Sequence, residues 1–339
     1  MVDKVTSLQV ALRAGVSQSA VSRVFTPGAS VSSKTAQKVR KAAEELGYRP
    51  NILARSLITG KSRIIGLVVS YLENQFYPEA IEKLSNALQE QGYHVLVFMA
   101  AQDDAATHSV IEELLDYQVD GIITASVGMT SDLTERCDSA GIPIVMFNRL
   151  QDDDRLSGVS SDNVAGGRKV AEFLLRGQHD RIGHIAGWEG ASTQRDREAG
   201  FVMGLADGAR SLHSRISGAF KYDAATDAAR RMFAGTDRPD AVFVANDHMA
   251  FAVMDVLRFE LGLRIPQDVS VVGYDDVTLA SWPSFNLTTV RQPANRMVSE
   301  TVSILLSRID DKNAEPRRVA LDGPLIVRGS ARLPKGWKT

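Results

Sequence analysis

Two stretches decide how this chain reads: residues 6–25, TSLQVALRAGVSQSAVSRVF, and residues 49–57, RPNILARSL. In the first, Thr6 is placed to cap a helix that turns Leu8, Val10, Ala11 and Ala14 inward. Gly15 can take the positive φ that ends it, and Ser17 can cap a second helix from Gln18 to about Val24. Val21 and Val24 then face a core, which leaves Gln18, Ser19, Ser22 and Arg23 pointing outward. A row of donors and acceptors near a helix N-terminus suits base edges in a major groove, where arginine forks onto guanine and glutamine pairs with adenine. Ser33 is expected to cap a third helix, with Val39, Ala42, Ala43 and Leu46 as its apolar stripe and Gly47 as its end. Pro50 stops that helix. Residues 51–58 could make only two further turns, too few to be stable alone in water.

Charge points the same way. Residues 1–63 hold eleven Lys and Arg against three acids, a net of +8, while the whole chain is −2 and the remainder therefore −10. A basic head suits a polyphosphate, because neutralising phosphates releases condensed counterions. The 339 residues allow two or three domains and a sizeable core. The lone cysteine, Cys137, cannot form an internal disulfide, which fits a reducing compartment. The N-terminus has no apolar stretch of the secretory kind, and no apolar run approaches the roughly 18 residues that span a membrane. The expectation is a cytoplasmic chain with no membrane partner.

These motifs resemble the lac repressor (LacI/GalR) family of bacterial transcriptional regulators. The resemblance is carried by A-G-V-S (14–17), V-S-R-V (21–24), V-S (31–32), E-L-G-Y-R-P-N (45–51) and A-R-S-L (54–57), and it continues into the body. Ala20 stands where the family usually has Thr, and Pro27-Gly28-Ala29 departs from the usual Asn-Gly type of turn. The resemblance implies a helix-turn-helix head (1–50), a hinge helix or linker (51–62) and an effector-binding, dimerising core (63–339). It implies that the hinge folds when two protomers meet on DNA, with Leu57 wedged into the minor groove and Arg55 beside phosphates. Inserting an apolar side chain there unstacks bases and bends the duplex. The expected DNA-facing set is Thr6, Ser17, Gln18, Ser19, Ser22, Arg23, Asn51, Arg55 and Leu57, acting on a near-palindromic operator as a homodimer. The tail after Gly323 lacks a sustained heptad, so no coiled-coil tetramer is expected.

In the body, short apolar runs at residues 64–70, 95–100, 121–126, 144–148, 181–187, 216–220, 241–246 and 269–274 alternate with helical stretches. Alternating βα units imply parallel sheets covered on both faces. Two such sets read as two doubly wound α/β subdomains. The resemblance implies a periplasmic-binding-protein-like core, crossed near residues 160, 292 and 323. Subdomain N would be about 63–160 plus 293–322, and subdomain C about 161–292 plus 323–339.

Ligands in doubly wound folds sit outside the C-terminal ends of strands. Those ends carry Ser126, Arg149, Asn246 and Asp275, and Phe76 and Tyr77 follow the first strand. By resemblance, Arg197 in R-x-x-G-[FW] reaches the effector, Phe220 stacks on it, and Asp275 and Asn246 bind it. Carboxylate, amide, guanidinium and ring together suit a polyhydroxylated, sugar-like effector. Asp247 reads equally well as the cap of the helix that begins at His248, and Phe76 or Tyr77 could be core. Trp282 is expected to pack beside Pro283. No cofactor is expected. There is no G-x-S-x-G, G-x-G-x-x-G, Walker A or H-E-x-x-H motif, so catalysis is not expected. His179 and His184 are not spaced for a metal on one helix face, and Asp152-Asp153-Asp154 reads as a solvated loop. The competing reading is a transport-type sugar-binding protein with a basic extension, which would have no use for Arg23 or Leu57.

Overall fold

The computed structural model describes residues 5–26, 29–49, 61–100 and 104–337, apart from the side chains of 104–106, and the chain divides into two compact units, Met1–Ser62 and Arg63–Thr339. In the first, α1 (Ser7–Ala14), α2 (Gln18–Val24) and α3 (Ser33–Leu46) enclose a small core of Val10, Ala11, Ala14, Val21, Val39, Ala42 and Ala43. Alanines let such short helices approach closely. Thr6 makes a capping box: its hydroxyl accepts from the Gln9 amide at 3.3 Å, and its own amide donates to Gln9 Oε1 at 2.8 Å. Gly15 ends α1 in the left-handed region at φ 66°, and the Ser17 hydroxyl caps α2 by accepting from the Ala20 amide at 3.2 Å.

Two expectations in this unit are corrected. The cap of α3 is Ser32, whose hydroxyl accepts from the Thr35 amide at 3.2 Å, rather than Ser33. Leu8 is 53% exposed. It lies two residues from Val10, about 200° around the helix, and so falls on the outer face.

The second unit contains two six-stranded sheets. The first has the order β11 (Arg318–Leu321), β5 (Ser157–Ser161), β4 (Ile144–Phe147), β3 (Gly121–Ala125), β1 (Ile64–Val69), β2 (His94–Met99). The second has the order β12 (Leu325–Ile326), β10 (Thr288–Arg291), β9 (Ser270–Asp275), β8 (Ala241–Val244), β6 (Ile182–Ala186), β7 (Ser214–Ser217). All pairings are parallel except β10 with β12. The central strands are buried on both faces, so they read as unbroken apolar runs. The chain passes from the first sheet to the second after β5, returns after β10, and leaves again between β11 and β12.

The connecting helices are α4 (Phe76–Glu90), α5 (Asp104–Asp116), α6 (Ser131–Ala140), α7 (Asn163–Arg176), α8 (Ser192–Asp207), α9 (Tyr222–Met232), α10 (Asp247–Asp255) and α11 (Ala294–Asp310). Although α11 follows β10 of the second sheet, it packs on α4, β4 and β5 of the first half. Strands β5, β10, β11 and β12 lack the apolar run that marks the others, and β7 begins two residues before its apolar stretch.

Candidate functional site: recognition face and effector cleft

On the first unit, the side chains of Gln18, Ser19, Ser22 and Arg23 are exposed on α2, opposite buried Val21. Several are pre-oriented by the local fold. Gln18 Nε2 donates to Ser7 Oγ at 2.9 Å, Ser19 Oγ lies 3.0 Å from Ser17 Oγ, and Arg23 Nε donates to the Ser19 carbonyl at 3.4 Å. The hydroxyls of Thr6 and Ser17 are used as caps, so their first role is to set the two helix starts. Both residues remain exposed. Asn51, Arg55 and Leu57 lie outside the described residues.

In the second unit, the strand ends converge on a cleft in which the backbone is repeatedly forced into unusual conformations. Ser126, Asn148, Phe220, Asp275 and Asp276 all have positive φ, at 65°, 71°, 60°, 130° and 57°. Non-glycine residues hold such angles at a cost, and they cluster where side chains must be aimed at a ligand.

The centre of the cleft is a buried ion pair. Arg197 Nη2 lies 3.3 Å from Asp275 Oδ1, with Arg197 Nε on Asn163 Oδ1 at 2.9 Å and Nη1 on the Ala245 carbonyl at 2.6 Å. Its guanidinium stacks 3.7 Å from the Tyr274 ring centroid. Asp275 also accepts from Gln292 Nε2 at 2.7 Å and, from the other half of the unit, from Asn74 Nδ2 at 3.1 Å. The Asn74 bond therefore ties the two halves across the cleft. Burial pushes the Asp275 carboxyl above its ordinary range, while Arg197, Asn74 and Gln292 pull it back.

Neighbouring Asp247 is fully buried and, among the described residues, has no ion-pair partner. Burial and the Asp275 charge raise it to about 8. It accepts from Thr289 Oγ1 at 2.6 Å and from the Val277 amide at 3.0 Å. The cap of α10 is Asn246, whose Oδ1 accepts from the Met249 amide at 3.0 Å. The capping role considered for Asp247 thus belongs to Asn246, because the helix begins one residue earlier than expected.

On the first half, Phe76 and Tyr77 are buried at the start of α4, and Phe76 stacks on Phe147 at 6.1 Å. The Tyr77 hydroxyl accepts from Asn148 Nδ2 at 3.1 Å and from the Ser126 hydroxyl. Arg149 donates from Nη1 to the Ser126 carbonyl at 2.9 Å and lies over Trp188 at 5.2 Å. Phe220 is buried against Gly187, where an added Cβ would come within 2.2 Å of its ring. Trp282 is 52% exposed and takes no part in the cleft.

The structure thus brings Arg197 and Asp275 into direct contact, joins Ser126 to Tyr77 and Arg149, and places Phe220 after β7 and Asn246 after β8, the strands on either side of β6. Sequence reasoning assigned no partners to Asn74, Asn148 and Tyr274 at the strand ends, and it missed Asn163 and Gln292. Gln292 would have followed from the strand-end rule had β10 been recognised. Among the described residues, the buried atoms without a hydrogen-bond partner include Asn148 Oδ1, Arg149 Nε, Asn246 Nδ2 and Gln292 Oε1. All four follow C-terminal strand ends, and buried polar atoms are rarely left so.

With this geometry in place, the relationship to known proteins is direct. Residues 8–51 match the family model of bacterial regulatory proteins, lacI family, and residues 170–331 match a periplasmic binding protein-like domain. The HTH-type transcriptional repressor PurR of Vibrio vulnificus is 33% identical over 330 residues, covering 96% of this chain and 98% of that protein. The chain belongs to the lacI family of bacterial regulatory proteins.

Among solved structures, the lac repressor dimer bound to operator and the anti-inducer ONPF superposes with a TM-score of 0.87 at 27% identity, over 97% of this chain and 99% of that one. A complex of the transcriptional regulator CelR with cellobiose gives 0.73 at 32% identity, over 97% of this chain and all of that one. As a lacI-family member, the chain is a helix-turn-helix DNA-binding regulator with a periplasmic-binding-protein-like core, and its relatives are transcriptional repressors rather than enzymes. No described helix is long and apolar enough to cross a membrane.

Proposed function

We propose that this chain is a repressor that binds a near-palindromic operator as a homodimer and is controlled by a sugar-like effector held in the cleft around Arg197 and Asp275. The observation that carries the effector reading is the set of partnerless polar atoms on Asn148, Arg149, Asn246 and Gln292. Together with the buried rings of Phe76 and Phe220, such polar groups suit a small polar ring with a C–H face. Solved relatives complexed with cellobiose and with ONPF support the same reading by homology.

Gln18, Ser19, Ser22 and Arg23 would enter the major groove, and Asn51, Arg55 and Leu57 would act at the centre of the operator. Two-fold pairing of the bodies matches two heads to two half-sites.

Control follows if the effector binds the DNA-competent and DNA-incompetent states unequally. The Asn74–Asp275 bond is the contact most open to change, because a ligand hydroxyl can take the place of the amide. A coupling of about 1–3 kcal/mol would alter operator affinity roughly 5- to 150-fold.

The test is an electrophoretic shift of the full chain on palindromic DNA, with and without sugars and sugar derivatives that raise its melting temperature. Arg197→Ala should keep DNA binding and lose the ligand response. A normal response in that variant would remove Arg197 from the cleft machinery.

A further inference from the structure

The charges in the cleft do not balance. Arg197 has Asp275, but Arg149, only 6% exposed, has no carboxylate within 4.0 Å among the described residues. Its hydrogen bond to the Ser126 carbonyl leaves Nε without a partner. Asp247 offers no compensation, since burial keeps it protonated up to about pH 8. Asn148, the residue before Arg149, is a neutral amide.

A second source of positive potential meets Arg149. Its guanidinium lies over Trp188, whose carbonyl accepts from the Ala191 amide at 3.0 Å at the entrance to α8. The next residue, Leu150, donates its amide to Ser192 Oγ, the first residue of α8, at 3.0 Å. This 16-residue helix has no side-chain cap at its N-terminus. Its first-turn amides and dipole favour an anion. An unpaired buried guanidinium and an uncapped helix start therefore share one corner of the cleft. A neutral polyol can accept hydrogen bonds from both but supplies no counter-charge, whereas an anion supplies the hydrogen bonds and the charge together.

We propose that the effector carries an anionic group, a carboxylate or phosphate on a sugar-like frame, held between Arg149 and the first turn of α8. This inference rests on the effector-cleft reading above and assigns the ligand's class. Arg197, Asp275 and Gln292 would take hydroxyls at the other end.

The test compares probes that differ only in the anionic group, titrated calorimetrically into the full chain: glucose against glucuronate and glucose 6-phosphate, galactose against galacturonate, and ribose against ribose 5-phosphate. At least one anion should bind on the order of 10- to 100-fold more tightly than its neutral twin. Whether the carboxylate or the phosphate arm responds distinguishes the two sources. Arg149→Met should erase that preference, and Arg149→Lys, which keeps the charge, should retain part of it. The Ser126 carbonyl also accepts from Ser70 Oγ at 3.1 Å, so neither change leaves it orphaned. Neutral sugars binding as tightly as every anion would overturn the proposal while leaving the cleft reading intact, as would an undiminished preference in Arg149→Met. Silence from all probes, neutral and anionic, would count against the cleft reading itself and take the proposal with it.

Discussion

Asp247 shows how much one buried carboxyl can say about a site. Both its oxygens are hydrogen-bonded, to Thr289 and to the Val277 amide, yet burial and the nearby Asp275 charge lift it from 3.8 to about 8. Asp275 has a guanidinium and two amide donors, so of the two it keeps the negative charge more easily. The consequence for stability has a definite sign. Between about pH 4 and 8 the folded chain holds a proton that the unfolded chain has released, so stability falls as pH rises through that window. The slope for one proton is at most about 1.4 kcal/mol per pH unit. His184 works in the opposite direction: burial lowers it to about 4, so it favours folding more as pH rises from there towards 6.5. The informative quantity is therefore a difference between variants. Asp247→Asn keeps an acceptor for Thr289 but removes the proton, and should lose less stability than the parent chain between pH 5 and 7.5. Parallel melting-temperature profiles for the two proteins would show that Asp247 does not titrate as described.

At the scale of elements, the position of Arg197 depends on how closely α7 and α8 approach. A Cβ on Gly200 would lie 2.0 Å from the Val164 carbonyl oxygen, and one on Gly167 would lie 2.1 Å from that of Arg197. Backbone meets backbone there, and no side chain can rotate away. Gly200→Ala must push the helices apart, at a cost of about 1–3 kcal/mol. It would also shift Arg197, one turn away, from Asn163. Gly208→Ala is the control, because its Cβ meets only the flexible Leu175 side chain. The first variant should melt lower and respond poorly to effector, and the second should stay close to the parent. Equal behaviour in thermal melts and ligand titrations would refute the close-approach argument.

Helix α8 was legible in the sequence through the R-x-x-G-F pattern, as were the strands built of apolar runs, but its close packing on α7 was not. Strands β5 and β10 were not. SGVSS and TTVR bury hydroxyls in place of methyl groups, with Ser157 Oγ accepting from the Arg317 amide at 3.1 Å and Ser161 Oγ lying 3.1 Å from the Tyr274 hydroxyl. A hydropathy pattern cannot distinguish such satisfied polar strands from loops. Gln292 was lost with β10. Asn74 was lost for a different reason: its partner Asp275 is 201 residues away, a contact that only the closed cleft creates.

For the whole molecule, the division of charge should govern how the repressor behaves on DNA. A head of +8 on a body of −10 means that attraction to phosphate is confined to residues 1–63, while the remainder is repelled. Binding that neutralises 6–10 phosphates should weaken by about 10³- to 10⁵-fold between 50 and 200 mM salt. Arg23 allows the sequence-reading part to be separated from this general attraction. It sits on the exposed face of α2 with a single long hydrogen bond to the Ser19 carbonyl, so its guanidinium retains donors for a base. If it forks onto a guanine, Arg23→Ala should cost about 1–3 kcal/mol on the operator and much less on random DNA, with nearly the same salt slope. If it touches phosphate instead, both affinities should fall together and the slope should flatten by about one unit. Fluorescence-anisotropy titrations of the full chain on both DNAs, at four salt concentrations, separate the two cases. Equal losses on operator and random DNA would remove Arg23 from the base-reading set and leave specificity to Gln18, Ser19 and Ser22.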